Sequence, residues 1–173
     1  AANQGMAKIR GESRFTFENC AHVIVRGLDI EVNEVNNIFK LTDCNNVRLC
    51  YNRIASTKNE GSSKWIEIAG VWDAVECFSH NNRVDHNLIE GKLDGGALLI
   101  IGGNSGTNDA VCISQNDRID HNHFRNIGPR VTNEKETIRV GYSKLSLQSA
   151  YTLIDYNLFE ACDGDPEIIS IKS

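Results

Sequence analysis

The sequence predicts an all-β chain, a right-handed parallel β-helix of about six to seven coils. Three observations carry that prediction: a repeat of fixed length, an asparagine that recurs at one place in it, and short apolar runs between the asparagines. Segments 47–54, 83–89, 118–124 and 153–159 superimpose without gaps, and Asn52, Asn87, Asn122 and Asn157 stand 35 residues apart. An earlier copy at 23–30 precedes the first by 24 residues, the offset that also separates Cys20 from Cys44. The basic coil is therefore about 24 residues with insertions.

In each later copy the residue three before the Asn and the residue two after it are apolar, so one face is buried across a bend at the Asn. A bend repeated in stacked coils sets one Asn above the next, where side-chain amides hydrogen-bond along the stack. Second apolar runs at 38–41, 65–68, 97–101, 137–140 and 167–171 give each coil about three short strands. No 11-residue window carries a sustained i, i+3, i+4, i+7 stripe, which disfavours a helical solenoid, and leucines at the spacing of a leucine-rich repeat are absent.

At 173 residues the chain fits one domain, 1–173, and a chain near that length hides ~70% of its unfolded surface. The net charge of -5 argues against a general nucleic-acid binder, so an anionic ligand would need a local basic patch. No apolar stretch is long enough for a membrane span. The first ten residues lack the apolar core of a signal peptide and there is no initiator Met; the expectation is that a leader, or more, has been removed. The six cysteines form no CxxC pair and are expected to be mostly reduced and buried.

Among the motifs, His121-Asn122-His123 invites a metal reading, but the equivalent positions in other copies hold Tyr51, His86 and Tyr156, and Arg53, Leu88 and Leu158. No coordinating pair recurs, and a structural role is expected. Gly95-Gly96 and Gly102-Gly103 precede no Lys-Ser/Thr pair and read as turn glycines. Basic residues gather late, at Arg125, Arg130, Lys135, Arg139, Lys144 and Lys172, among Glu134, Glu136, Asp165 and Glu167. Alternation in 137–140 places Arg139 on an outer sheet face, in a row expected to include Glu67 and Leu99. Asp165 and Glu167 are two apart, so in an extended segment both carboxylates face one way, an arrangement suited to a hard cation. Alternation sends Lys172 to the other face, so the chain must turn near Ser170 for all three to meet.

With these residues in view, the chain resembles the polysaccharide lyase family that contains alginate lyases and the dermatan-specific chondroitinase B. The resemblance spans nearly the whole chain and is carried by Asn81 to Asn87, Asn133 to Gly141 and Glu167 to Ser173. It implies calcium held by Asn133, Asp165 and Glu167, with Asp165 standing where family members often have Glu. It implies Lys172 as the catalytic base. The family's Arg-His-Gly acid motif falls about one coil beyond the lysine and has no counterpart here, so the chain looks like a middle fragment with little activity alone. It also implies a secreted or periplasmic bacterial protein.

The implied reaction is β-elimination at a uronate in an acidic polysaccharide, alginate ahead of dermatan or chondroitin sulfate. A cation neutralises the carboxylate beside C5, and a lysine serves as base once a nearby cation or burial lowers its pKa. Arg139 and Lys135 are the candidates to grip a further uronate carboxylate. Two rivals remain: a non-catalytic carbohydrate-binding or structural β-helix, and a glycoside hydrolase, which would need two carboxylates across the scissile bond.

Overall fold

The computed structural model describes residues 7–104, 111–131 and 133–172, and it is a right-handed parallel β-helix. Three parallel sheets run along the stack. Sheet 1 holds Ala7–Gly11, Leu28–Val32, Arg53–Ser56, Leu88–Glu90, His123–Ile127 and Leu158–Cys162. Sheet 2 holds Phe15–Glu18, Phe39–Thr42, Ile66–Ala69, Leu99–Ile101, Ile138–Gly141 and Ile169–Lys172. Sheet 3 holds Ile24–Arg26, Arg48–Cys50, Arg83–Asp85, Arg118–Asp120 and Leu153–Asp155. The asparagines mark the corner from sheet 3 to sheet 1, and the second apolar runs become sheet 2 with shifts of one or two residues.

The core follows from stacking equivalent positions. Ile30, Ile54, Ile89 and Phe124 pair in register along sheet 1, and all four are fully buried. Sheet 2 contributes two inward residues per coil, such as Ile66 and Ile68, then Leu99 and Ile101, then Ile138 and Val140. Burying one such side chain stabilises by ~1.5–3 kcal/mol. Phe124 and Phe159 stack with ring centroids 5.2 Å apart.

The corner explains why asparagine recurs. Tyr51, His86, His121 and Tyr156 each take φ between 52° and 55°, which turns the chain sharply just before the Asn. The left-handed region costs an ordinary residue ~1–2 kcal/mol, and Gly27 fills the same place in the first such corner. The asparagine offsets that cost. Asn87 Oδ1 accepts the Asn52 N–H at 3.0 Å and its Nδ2 at 3.1 Å, while Asn87 Nδ2 donates to Leu49 O at 2.9 Å and to Asn122 Oδ1 at 3.0 Å. Asn122 and Asn157 continue the pattern.

Outside this corner Tyr51, His86, His121 and Tyr156 form one continuous ring stack, with centroids 4.8 to 5.0 Å apart. The Nδ1 atoms of His86 and His121 lie 2.7 Å from Asp85 and Asp120, and His123 Nε2 lies 2.8 Å from Glu160. His86 and His121 thus serve the ring stack, and all three histidines hydrogen-bond to neighbouring carboxylates. At the corner from sheet 2 to sheet 3, Asn82 Oδ1 accepts the Val47 N–H and Asp117 Oδ1 accepts the Asn82 N–H. Burial pushes the Asp117 carboxyl up to about 6.

All six cysteines are free; Cys44 and Cys50 are buried and the rest half-buried. No helix among the described residues is long and apolar enough to cross a membrane.

Candidate active site

The outward row of sheet 2 runs Thr16, Lys40, Glu67, Ile100, Arg139, Ser170. Ile100, not Leu99, is the neighbour of Arg139 and Glu67; Leu99 pairs with Ile66 and Ile138 and points into the core. All five residues of the run Ala97 to Ile101 are apolar and buried, so no alternation in the sequence tells its outward positions from its inward ones.

Beside this row lies a groove of about 810 Å³ lined by Lys40, Glu67, Trp72, Ile100, Arg139 and Tyr142, among others. Small residues, Ala69, Gly70 and Gly103, are among those that line it, and Gly102 lies beside them. A Cβ added to Gly102 would lie 3.7 Å from Ala69 Cβ and 3.3 Å from the Tyr142 ring. The lining carries four cations, Lys40, Lys64, Arg139 and Lys144, and three carboxylates, Glu18, Glu67 and Glu134. Its charge is therefore mixed, where a basic groove was expected.

Near one end of the groove Glu136 organises two of the predicted residues. Its carboxylate is 1% exposed and accepts Arg139 Nε at 3.0 Å and Nη2 at 2.5 Å, with Lys172 Nζ 3.7 Å from Oε1. The Glu136 backbone C=O accepts the Leu98 N–H, which fixes the residue at the entry to strand Ile138–Gly141. From there its side chain reaches Arg139 three residues on and Lys172 on the next coil. Sequence reasoning passed over Glu136, since a glutamate in a charged run reads as solvated; its spacing of three from Arg139 was the available signal.

Asp165 is buried, while Asn133 and Glu167 are exposed. Segment 164–166 bends and is not extended, and Ile169–Lys172 runs unbroken through Ser170. The turn near Ser170 that the sequence required for Asp165, Glu167 and Lys172 to meet is therefore not there, and Lys172 instead lies beside Glu136. Asp165 Oδ2 accepts the Lys135 N–H at 3.0 Å and Oδ1 accepts the Glu167 N–H at 3.4 Å. These bonds tie the turn of Asn133 to the turn of Glu167 on the next coil. The donor set is one amide and two carboxylates, oxygen ligands throughout, and each Asp165 oxygen keeps a lone pair. By donor chemistry these residues fit a hard divalent cation. Asp165 is buried with both carboxylate oxygens engaged by backbone N–H groups, which does not favour it as one of a pair of free acids across a scissile bond.

Lys135 departs from expectation. It is fully buried, and its ammonium donates to Leu93 O at 2.8 Å and Pro129 O at 3.0 Å. Burial lowers its pKa. Its stem packs against Gly164, where an added Cβ would sit 2.8 Å from both Lys135 Cγ and Lys135 O. Lys135 thus braces the turn and presents no charge to the groove.

The sequence model of the family described as Chondroitinase B matches residues 15–173. A solved mannuronic acid specific polysaccharide family 6 lyase from human gut microbiota superimposes with a TM-score of 0.63 at 21% identity, covering 98% of this chain and 41% of that one. A mutant of the PL6 family alginate lyase AlyGC superimposes with a TM-score of 0.64 at 20% identity, covering 99% of this chain and 28% of that one. This chain thus spans less than half the length of either structure. No curated protein matches it.

Proposed function

Because this chain belongs to the chondroitinase B family, we propose that the protein carrying it is a polysaccharide lyase that cleaves a uronate polymer, alginate first, by β-elimination. The observation that carries the reading is the Glu136 clamp, which holds Lys172 and Arg139 on adjacent strands beside a long surface groove.

In this reading Lys172 Nζ takes the proton from C5 of the uronate. The electron pair left behind forms the C4–C5 double bond, and the bond from C4 to the bridging oxygen breaks. The leaving oxygen takes a proton from an acid on the coil that follows, where the family carries its Arg-His-Gly motif. Water is not consumed. A calcium ion held by Asn133, Asp165 and Glu167 would neutralise the substrate carboxylate and make the C5 proton more acidic. Arg139, pinned by Glu136, offers the remainder of its guanidinium to a uronate carboxylate in the groove.

The test is ultraviolet absorbance of the unsaturated product in the full-length protein. Lys172→Ala should lower turnover by roughly 10²–10⁴-fold, the usual contribution of a general base, with an unchanged circular dichroism spectrum. Retained turnover would refute the base assignment, and an inactive wild type that still binds alginate would favour a non-catalytic binding module.

A further inference from the structure

We infer that the groove carries a distal uronate subsite, in which the exposed ring of Trp72 stacks on one pyranose and Lys40 binds a carboxylate beside it. This rests on the uronate-polymer reading above and adds where the chain is gripped away from the reacting bond.

Four apolar side chains are exposed on the segment that leaves sheet 2 after Ala69: Val71, Trp72, Val75 and Phe78. Val71 and Trp72 line the groove, and Trp72 is 64% exposed. A large aromatic left in water on a groove wall lowers its free energy by accepting the apolar face of a ligand. The segment is fixed before any ligand arrives. Asn104 Nδ2 donates to Ala74 O at 2.5 Å, the Ala74 N–H donates to Val71 O at 3.2 Å, and the Phe78 N–H donates to Asp43 Oδ1 at 3.2 Å. Preorganisation of this kind reduces the entropy lost on binding.

The charge beside Trp72 is selective. Glu67 is engaged by Lys64 at 3.0 Å and by Asn37 Nδ2 at 3.2 Å. Lys40, next to Glu67 in register, is exposed and makes no ion pair among the described residues. It is thus the groove cation with an open claim on an anion. Lys40 lies three strands from Arg139, about 14 Å at the usual spacing of parallel strands, so it meets a sugar several units from the one whose C5 proton Lys172 takes. Stacking recognises any pyranose, whereas Lys40 requires a uronate.

The chain's two tryptophans make the test direct, because Trp65 is 1% exposed and Trp72 carries the solvent-sensitive fluorescence. Acrylamide quenching of this chain is measured with alginate oligouronates of increasing length and with their carboxyl-reduced counterparts. Longer oligouronates should protect Trp72, and the reduced oligosaccharides should bind about tenfold more weakly. Lys40→Ala should weaken oligouronate binding by about tenfold, and Trp72→Ala should do the same by calorimetry with an unchanged circular dichroism spectrum. Oligouronate binding that leaves Trp72 quenching unaltered and is insensitive to Lys40→Ala would overturn the subsite and leave the lyase reading standing. Failure of the wild-type chain to bind any oligouronate would overturn the subsite, and absent elimination by the full-length protein would separately overturn the lyase reading.

Discussion

The corner between sheets 3 and 1 and the outer edge of sheet 2 both bury polar groups, and they satisfy them in opposite ways. In the corner each asparagine is completed by its own equivalent one coil away, so Asn52, Asn87, Asn122 and Asn157 make the same bonds in turn. At the edge each group is completed once, by an unlike partner: Glu136 by Arg139 and Lys172, Asp165 by the Lys135 N–H, Lys135 by two carbonyls. Repetition builds a frame with no charge left over. Its absence at the edge is what lets unlike charges converge on one place.

The comparison breaks most severely at the centre of the ladder. Asn122→Ala removes the acceptor of the Asn87 N–H and Nδ2 and the donor to Val84 O. Two to three buried groups lose a partner at ~1–3 kcal/mol each, so the loss should be about 3–6 kcal/mol, a large part of the 5–15 kcal/mol typical of a domain. Urea denaturation measures it. A change under about 1 kcal/mol would mean that backbone pairing alone holds the corner.

Next is the clamp. Glu136→Gln leaves the largely buried Arg139 without its counter-charge, a change that costs about 3 kcal/mol when one partner of a buried pair is removed. In the full-length protein it should also lower turnover, since both Arg139 and Lys172 lose their anchor. Stability lost with turnover intact would confine Glu136 to the frame.

These two regions also differ in how far they could be read from the sequence. The ladder was legible because one residue type repeats at one spacing, and the physics of a stacked amide needs nothing else. The edge was legible as a set of residues but not as a set of contacts. Alternation rules assume extended backbone, and they failed where segment 164–166 bends, burying Asp165 and exposing Glu167. Lys135 precedes its strand, so strand parity could not place it, and nothing in a local pattern reports carbonyls at Leu93 and Pro129. Trp72 sits on an insertion outside the repeat, where periodicity is silent.

Asp117 sharpens the comparison, because it puts a titratable group in a ladder position. Its Oδ1 accepts the Asn82 N–H at 2.8 Å, while its second oxygen is buried without a hydrogen-bond partner among the described residues. Its carboxyl is raised from 3.8 to about 6 by burial, so the unfolded chain ionises first as pH rises. Stability is therefore unaffected below about pH 4, falls between about 4 and 6, and bears the full cost above. Two units correspond to about 3 kcal/mol at most. Asp117→Asn keeps the acceptor and removes the charge, so it should stabilise the protein by up to about 3 kcal/mol at pH 7 and by little at pH 4. Equal effects at both values would show that charge is not the cause.

The smallest effect separates the brace from the groove. Lys135→Met keeps the length of the stem against Gly164 and removes the ammonium, so Leu93 O and Pro129 O lose a donor while a buried cation disappears. The two changes oppose each other, and the net loss should be about 1 kcal/mol near neutral pH. Burial holds the Lys135 pKa below 10.5, so the folded protein releases this proton before the unfolded chain does. Stability contributed by the neutral amine is thus gained as pH rises from the folded pKa towards 10.5 and lost as pH falls back through it. The Met variant should lack that share of the rise and keep the share from Lys92, which burial pushes down to about 8. Oligouronate affinity should stay within about twofold of wild type, against about tenfold for Lys40→Ala. Thermal denaturation across pH 7 to 10 and calorimetry decide it. Binding weakened as much as by Lys40→Ala would return Lys135 to the substrate side, where the sequence first placed it.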